Sequence, residues 1–340
     1  FTFYYQTMAK RHLPELMRYE ADRMRNLLLR EDEIATELKV VLEERATRLE
    51  NDPQAKIRAR AYNALFRAHP YRIPIIGWRS ETAHLTRAHL QDFYDRYYQP
   101  NNAIVVVTGD LDVAAVVQMA REIYGKIPRG PSVARRMIKE PPAEGIVRVE
   151  LRDALVAQNQ WHRLYMIPNL HDQPMEDAAA LVVLAELLNA AGEKGLYAQM
   201  VEQRAVALGT GAYFHPMARG PVIFGIWGVS TDGTDDTGDS EQLQEAVMAY
   251  VASLADDFWD PQAIATIKAR IRDEQILLHD SLTQRAHHYA HPLVSGYSLD
   301  DQTRFHAALQ NVTRDAIMAA LQRILASTSW VDSHLLREAS

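Results

Sequence analysis

Between Ala35 and Pro53 the sequence reads ATELKVVLEERATRLENDP, with glutamates at 37, 43, 44 and 50 around an apolar run. Carboxylates stacked on one helix face can share a metal or a proton, so their angular spacing decides what they could do. At about 100° per residue, Ile34, Leu38, Val41, Leu42 and Leu49 fall within a sector of roughly 100°, the stripe of an amphipathic helix that packs on a core. Glu37 and Glu44 are seven residues apart, overlie within about 20° and sit at the edge of that stripe. Glu43 and Glu50 point nearly away from it and read as a solvated face. Arg45 lies in the middle of the stripe, where it must snorkel or find a carboxylate partner, because a bare buried charge is costly. Geometry alone favours a salt-bridged rim for Glu37 and Glu44 over a chemical site.

Other candidates are weaker. HHYAH places His287 and His291 at the i, i+4 spacing of zinc-binding helices, but His288 stands where that motif needs a glutamate and Pro292 follows at once. Helix-end histidines that cap or pack are the better reading. His69, in HPY, is expected to fix a loop by hydrogen bonding. The acidic stretch TDGTDDTGD lacks the acid spacing and closing glutamate of a calcium loop. With no cysteine there is no thiolate ligand, thiol nucleophile or disulfide.

The elements that must position these residues follow from periodicity and caps. FTFYYQTMAK reads as a strand, followed by helices over about His12 to Leu29 and Asp32 to Leu49. Thr86 caps a helix that Pro100-Asn101-Asn102 ends, AIVVVTG (Ala103 to Gly109) reads as a buried strand, and Asp112 caps the next helix. Residues 129–145, with several prolines and no periodicity, suit a linker. Beyond it come strands near Ile146 to Leu151 and Gln158 to Met166, a helix from Met175 to Asn189, then helix, strand and strand. Asp239 and Gln242 form a capping box for a further helix. Three hundred and forty residues with 47% hydrophobic side chains can bury the cores of two domains. The net charge of -7, with dispersed basic residues, argues against nucleic acid or an anionic membrane as partner. No window of about 18 apolar residues suggests a membrane span.

From TELKVVLEERATRLENDP through HPY, IIGW, FYDRYYQPNN and VVVTGD, the order and spacing of elements over some 75 residues resemble the pitrilysin/insulinase family of inverted zinc metallopeptidases. The likeness is to bacterial members akin to mitochondrial processing peptidase. LLNAAGEKGLYAQMVEQRAVALGTGAYF is similar, more loosely, to the family's second-domain helix and turn. The resemblance implies an α+β fold of the LuxS/processing-peptidase-like metallopeptidase type, in two related domains, with helices on one face of an antiparallel-rich mixed sheet. Domain bounds are then 1–128 for the remainder of the zinc domain, 129–145 for the linker and 146–340 for a second domain truncated at its end. In that family an H-x-x-E-H helix supplies two histidine ligands and the general base, and the second glutamate of Glu-x6-Glu is the third zinc ligand. The resemblance therefore assigns metal binding to Glu44 and an auxiliary, steadying role to Glu37. Three protein ligands leave a zinc position for water, whose pKa the metal lowers.

The departures matter equally. The chain holds no H-x-x-E-H, which the family places upstream of a position equivalent to Phe1, so the chain reads as an N-terminally truncated fragment, inactive alone and with zinc absent or incomplete. Active members also carry an arginine and, seven residues on, a tyrosine that grip the substrate backbone. Glu202 and Gly209 stand there instead, with Arg204 and Tyr213 out of register as weak substrate-binding candidates. The implied function is a zinc metalloendopeptidase subunit acting on peptides or unfolded segments in a closed chamber, as a homodimer or a heterodimer with a related zinc-less subunit. The alternative is a non-catalytic structural subunit. A periplasmic or envelope location is expected from the bacterial relatives, with the cytoplasm as the other option.

Overall fold

The computed structural model describes residues 1–133, 135, 138–231 and 237–338, and of residues 237–239 and 279 the backbone alone. In chain order the helices α1 (Leu13–Asn26), α2 (Glu31–Arg45), α3 (Pro53–Leu65), α4 (Arg79–Thr82), α5 (Arg87–Tyr97) and α6 (Val113–Ile123) come first. Strands β1 (Ile146–Asp153) and β2 (Gln160–Ile167), helix α7 (Met175–Leu188), and strands β3 (Ala207–Phe214) and β4 (Val222–Ser230) follow. Helices α8 (Thr237–Ser253), α9 (Pro261–Leu277), α10 (Leu282–Ser295), α11 (Leu299–Asn311) and α12 (Arg314–Leu325) then lead to β5 (Trp330–Arg337). Thr86 and Asp112 cap α5 and α6 as expected, through His89 N–H and Ala115 N–H. The side chain of Asp239, the expected cap of α8, lies outside the described residues.

The chain divides into two compact units, each built from non-contiguous segments. The first holds Phe1–Glu44, Ile76–Arg136 and Glu274–Leu299; the second holds Arg45–Ile75, Met137–Asp273 and Asp300–Ser340. All strands among the described residues fall in the second unit. They form one mixed sheet in the order β1-β5-β2-β4-β3, antiparallel except for the β1–β5 pair, so the architecture is α+β and antiparallel-rich.

Side-chain alternation divides that sheet into two faces. On one, Trp161, Arg163, Asp332 and His334 are buried and α8 covers them, with Ser240 Oγ 2.8 Å from His334 Nδ1. Asp332 accepts hydrogen bonds from Trp161 Nε1 (2.9 Å), Trp330 Nε1 (2.7 Å) and both Nε and Nη2 of Arg163 (2.8 Å each), so this buried ion pair has its polar atoms satisfied. On the opposite face Leu164 and Val331 meet Ala61, Leu65 and Phe66 from α3 and its C-cap. Burying a side chain of leucine or phenylalanine size contributes about 1.5–3 kcal/mol.

Two expected strands are absent. Phe1 to Lys10 forms no strand; Phe3 stacks on His287 with ring centroids 4.0 Å apart, and Phe1 meets His291 edge-on at 5.2 Å. Ala103 to Gly109 forms no strand, and it is not buried, since Ile104 is 46% and Val105 57% exposed. An apolar run becomes a strand only when a neighbour takes its backbone hydrogen bonds, and among the described residues the first unit offers none.

Candidate functional site

Helix α2 carries both candidate carboxylates within a continuous run of α geometry, so Glu37 and Glu44 keep the seven-residue stacking read from the sequence. Glu37 is exposed, Glu44 half-buried and Glu43 exposed. The apolar stripe does not close against a core here. Ile34, Leu38 and Val41 instead line a cleft of about 280 Å³ together with Leu85 and Leu90, and Glu37 stands at its wall. The cleft is therefore largely apolar, with Glu37 and the Arg30–Glu33 ion pair at its wall.

The solvated-face reading of Glu50 is overturned. After Arg45 the helix widens into a π-turn, Ala46–Glu50, which adds residues to the turn and shifts every later side chain in phase. Glu50 thereby reaches the guanidinium of Arg45, which is 6% exposed, and forms an ion pair with it. Arg45 finds the carboxylate partner that its place in the stripe demanded, and Glu50 is committed to structure.

In the second unit the residues at the expected substrate-gripping positions are Glu202, exposed at the end of a π-turn (Ala198–Gln203), and Gly209, beside a bulge in β3. Arg204 lies with its guanidinium 5.6 Å from the ring centre of Tyr250 on α8. Tyr213 is half-buried opposite Gly225 of β4 and packs with the cluster around α3. A Cβ on Gly225 would come within 2.3 Å of that ring, so glycine there makes the room the ring needs. Burial raises the Tyr213 phenol above its usual pKa, with Tyr62 adding to the shift. Arg204 and Tyr213 thus engage helices on opposite faces of the sheet, and the structure does not bring them together.

Sequence reasoning missed Asn189, the C-cap of α7. Its carboxamide donates to Ala212 O (2.7 Å) and accepts from Ala212 N–H (2.8 Å), so it imitates a neighbouring strand at the outer edge of β3. An asparagine two residues before a glycine-rich turn carries no signal of this role. The buried Arg163–Asp332 pair was also missed, although charged residues on an otherwise apolar strand were a usable sign.

The histidines hold structure. His287 stacks on Phe3 and His291 meets Phe1 edge-on, as packing histidines do. His69 is 8% exposed, its Nδ1 accepts from Tyr71 N–H at 3.3 Å, and burial lowers its pKa against the opposing pull of Glu140.

A mixed, antiparallel-rich sheet with helices packed on it defines an α+β domain. Residues 84–271, more than half of the chain, match the family described as the peptidase M16 inactive domain, and the chain belongs to this pitrilysin/insulinase family. The zinc protease PqqE of Helicobacter pylori is 28% identical over 261 residues, which cover 74% of this chain and 56% of that protein. The chain thus spans little more than half the length of this relative. Among solved structures, a protease from Helicobacter pylori superposes with a TM-score of 0.86 at 22% identity, over 96% of this chain and 78% of that one. The first half of the periplasmic protease PqqL from Escherichia coli superposes with a TM-score of 0.76 at 18% identity, over 98% of this chain and 72% of that one. These last two likenesses establish the fold.

Proposed function

We propose that this chain is part of a zinc-dependent metalloendopeptidase that hydrolyses peptides or unfolded protein segments between two enclosing halves. The observation that carries the reading is α2, where a half-buried Glu44 stands two turns beyond Glu37 on one side of a continuous helix. A family in which a relative bears the name zinc protease supports it. Among the described residues no group of three or more His, Asp or Glu side chains could hold a metal, so they do not by themselves fit a three-ligand zinc site. Glu44 would be one ligand, Glu37 its auxiliary carboxylate, and the remaining ligands would come from an H-x-x-E-H segment elsewhere in the whole protein. In this reading residues 1–128 belong to the zinc domain, 129–145 to the linker and 146–340 to the second domain.

Separation of Arg204 from Tyr213 supports a partner subunit that supplies the substrate grip, because an exposed glutamate at 202 would repel the peptide carbonyls that an arginine binds through its donors. The complex would be a heterodimer with a related zinc-less subunit, burying at least about 1,000 Å². A periplasmic location is supported by the likeness to the periplasmic protease PqqL of Escherichia coli. None of the described helices is long and apolar enough to cross a membrane.

The test is hydrolysis of an unfolded polypeptide by the whole protein, with and without the related subunit. Turnover that requires both chains and is abolished by chelation is expected. Full turnover by the protein alone, lost on Arg204→Ala, would refute the two-subunit part. Folded assemblies with no turnover in any combination would establish the non-catalytic reading.

A further inference from the structure

The loop between α3 and the short turn Pro70–Arg72 aims three successive backbone N–H groups at a single carboxylate. Arg67 N–H donates to Glu140 Oε1 at 2.5 Å, Ala68 N–H is shared between Oε1 (3.3 Å) and Oε2 (3.0 Å), and His69 N–H donates to Oε2 at 2.6 Å. All four residues belong to the second unit. Arg67 and Ala68 follow the C-cap of α3 at Phe66, and His69 is the N-cap of the Pro70–Arg72 turn, which at three residues is too short to supply a helix N-terminal site of its own. Consecutive N–H groups that converge in this way form an anion-binding nest, and bonds to an ionised acceptor are the strong kind. Partial burial alone would raise the Glu140 pKa, yet the three backbone donors together hold it below the usual carboxylate range.

The nest is held by contacts that do not involve Glu140. Phe66, His69 and Tyr71 form an aromatic cluster, with the His69 and Tyr71 rings 4.2 Å apart and those of Phe66 and Tyr71 5.8 Å apart. Arg72 Nη1 donates to Arg67 O at 3.2 Å, Ile73 N–H donates to Pro70 O at 2.9 Å, and Gly220 N–H donates to Tyr71 Oη at 3.3 Å. A Cβ on Gly220 would sit 2.2 Å from His69 Nε2, so the glycine lets this loop close tightly on its neighbour. Arg67 is ion-paired with Glu144, Nη1 to Oε2 3.8 Å. Glu140, by contrast, belongs to a proline-flanked segment without helix or strand that leads into β1.

We infer that Arg67–Ala68–His69 is a preorganised carboxylate-binding site, which Glu140 fills from within the same chain as a releasable latch on the segment before β1. Because the cradle is built independently, it keeps its shape when Glu140 leaves and accepts another small carboxylate. In the intact chain the tether gives Glu140 a high effective concentration, so a free carboxylate competes poorly.

The test uses the 340-residue chain and its Glu140→Ala variant, with formate as probe and chloride at equal ionic strength as control. Amide hydrogen exchange is expected to rise at least tenfold at residues 67–69 in the variant, while the Ile73 and Gly220 amides keep their protection. Formate should restore protection at 67–69 in a saturable manner. Tryptic cleavage after the neighbouring Lys139 should quicken in the variant and stay quick in formate, since a free anion fills the nest without re-anchoring the chain. Unchanged exchange at 67–69, protection lost as far as Ile73 and Gly220, or no response to formate would overturn the site. Unchanged cleavage at Lys139 would overturn the latch. Glu140→Asp, one methylene shorter, should fall between the two chains, and equality with Glu140→Ala in every readout would also count against the geometry.

Discussion

Two regions of the chain share one local plan and reach different ends. Thr86 and Thr313 each precede an arginine, cap α5 and α12 through the N–H three residues on, and stand 17 residues before the next β-prone run, at Ala103 and Trp330. The second run is β5, which lies between β1 and β2 with Val331 2% and Asp332 5% exposed. The first, at Ala103 to Gly109, has the more β-prone sequence and forms no strand. Local propensity and a well-capped preceding helix are the same or better there; what differs is a neighbouring backbone to pair with. Strand formation is thus decided by tertiary context, while helix caps act from within their own segment.

The comparison can be broken most severely at Asp332 and the matching position Val105. Asp332→Ala leaves Arg163 buried without its partner and should cost about 3–5 kcal/mol in chemical unfolding of the second unit. Val105→Thr in the 340-residue chain should stay within about 0.5 kcal/mol. A cost at Val105 similar to that at Asp332 would mean that the first run is packed after all.

Acid should also separate the regions. Burial lowers the His162 pKa to about 4, with Arg58 adding repulsion, and lowers that of His334, where Arg148 adds to the effect. Both are neutral when folded and have an ordinary pKa of about 6.5 when unfolded. The unfolded state therefore binds more protons below that pH, and stability of the second unit should fall as pH drops from about 6.5 towards 4. His162→Leu should flatten this part of the profile; a profile that stays equally steep would assign the acid response to carboxylates.

The caps should give the smallest and most even effect. Thr86→Ala and Thr313→Ala should each cost about 1 kcal/mol, because each removes one side-chain acceptor from a helix N-terminus. Very unequal costs would show that the two helices are not held by the same device.

Much of this was legible in the residues. Thr86 and Asp112 announced α5 and α6, because a cap acts over a few residues, and strands were expected close to where β1 and β2 form. Arg45 in an apolar stripe demanded a carboxylate, yet the sequence pointed to no particular one, since uniform α geometry turns Glu50 away and only the π-turn brings it back. Asn189 on the β3 edge and Glu140 in its nest join groups 23 and 71–73 residues apart, and no short-range pattern encodes such pairs. The stacking of Glu37 and Glu44 was readable from the helix repeat; which of the neighbouring glutamates 43 and 44 is shielded follows from the face that α2 turns inward.

That last distinction is the centre of the account, and metal content tests it. In the whole protein, zinc measured by atomic spectroscopy should be close to one per zinc subunit in the parent and in Glu43→Gln, and lost together with peptide hydrolysis in Glu44→Gln. Equal zinc in Glu43→Gln and Glu44→Gln would contradict the assignment of Glu44 as the ligand.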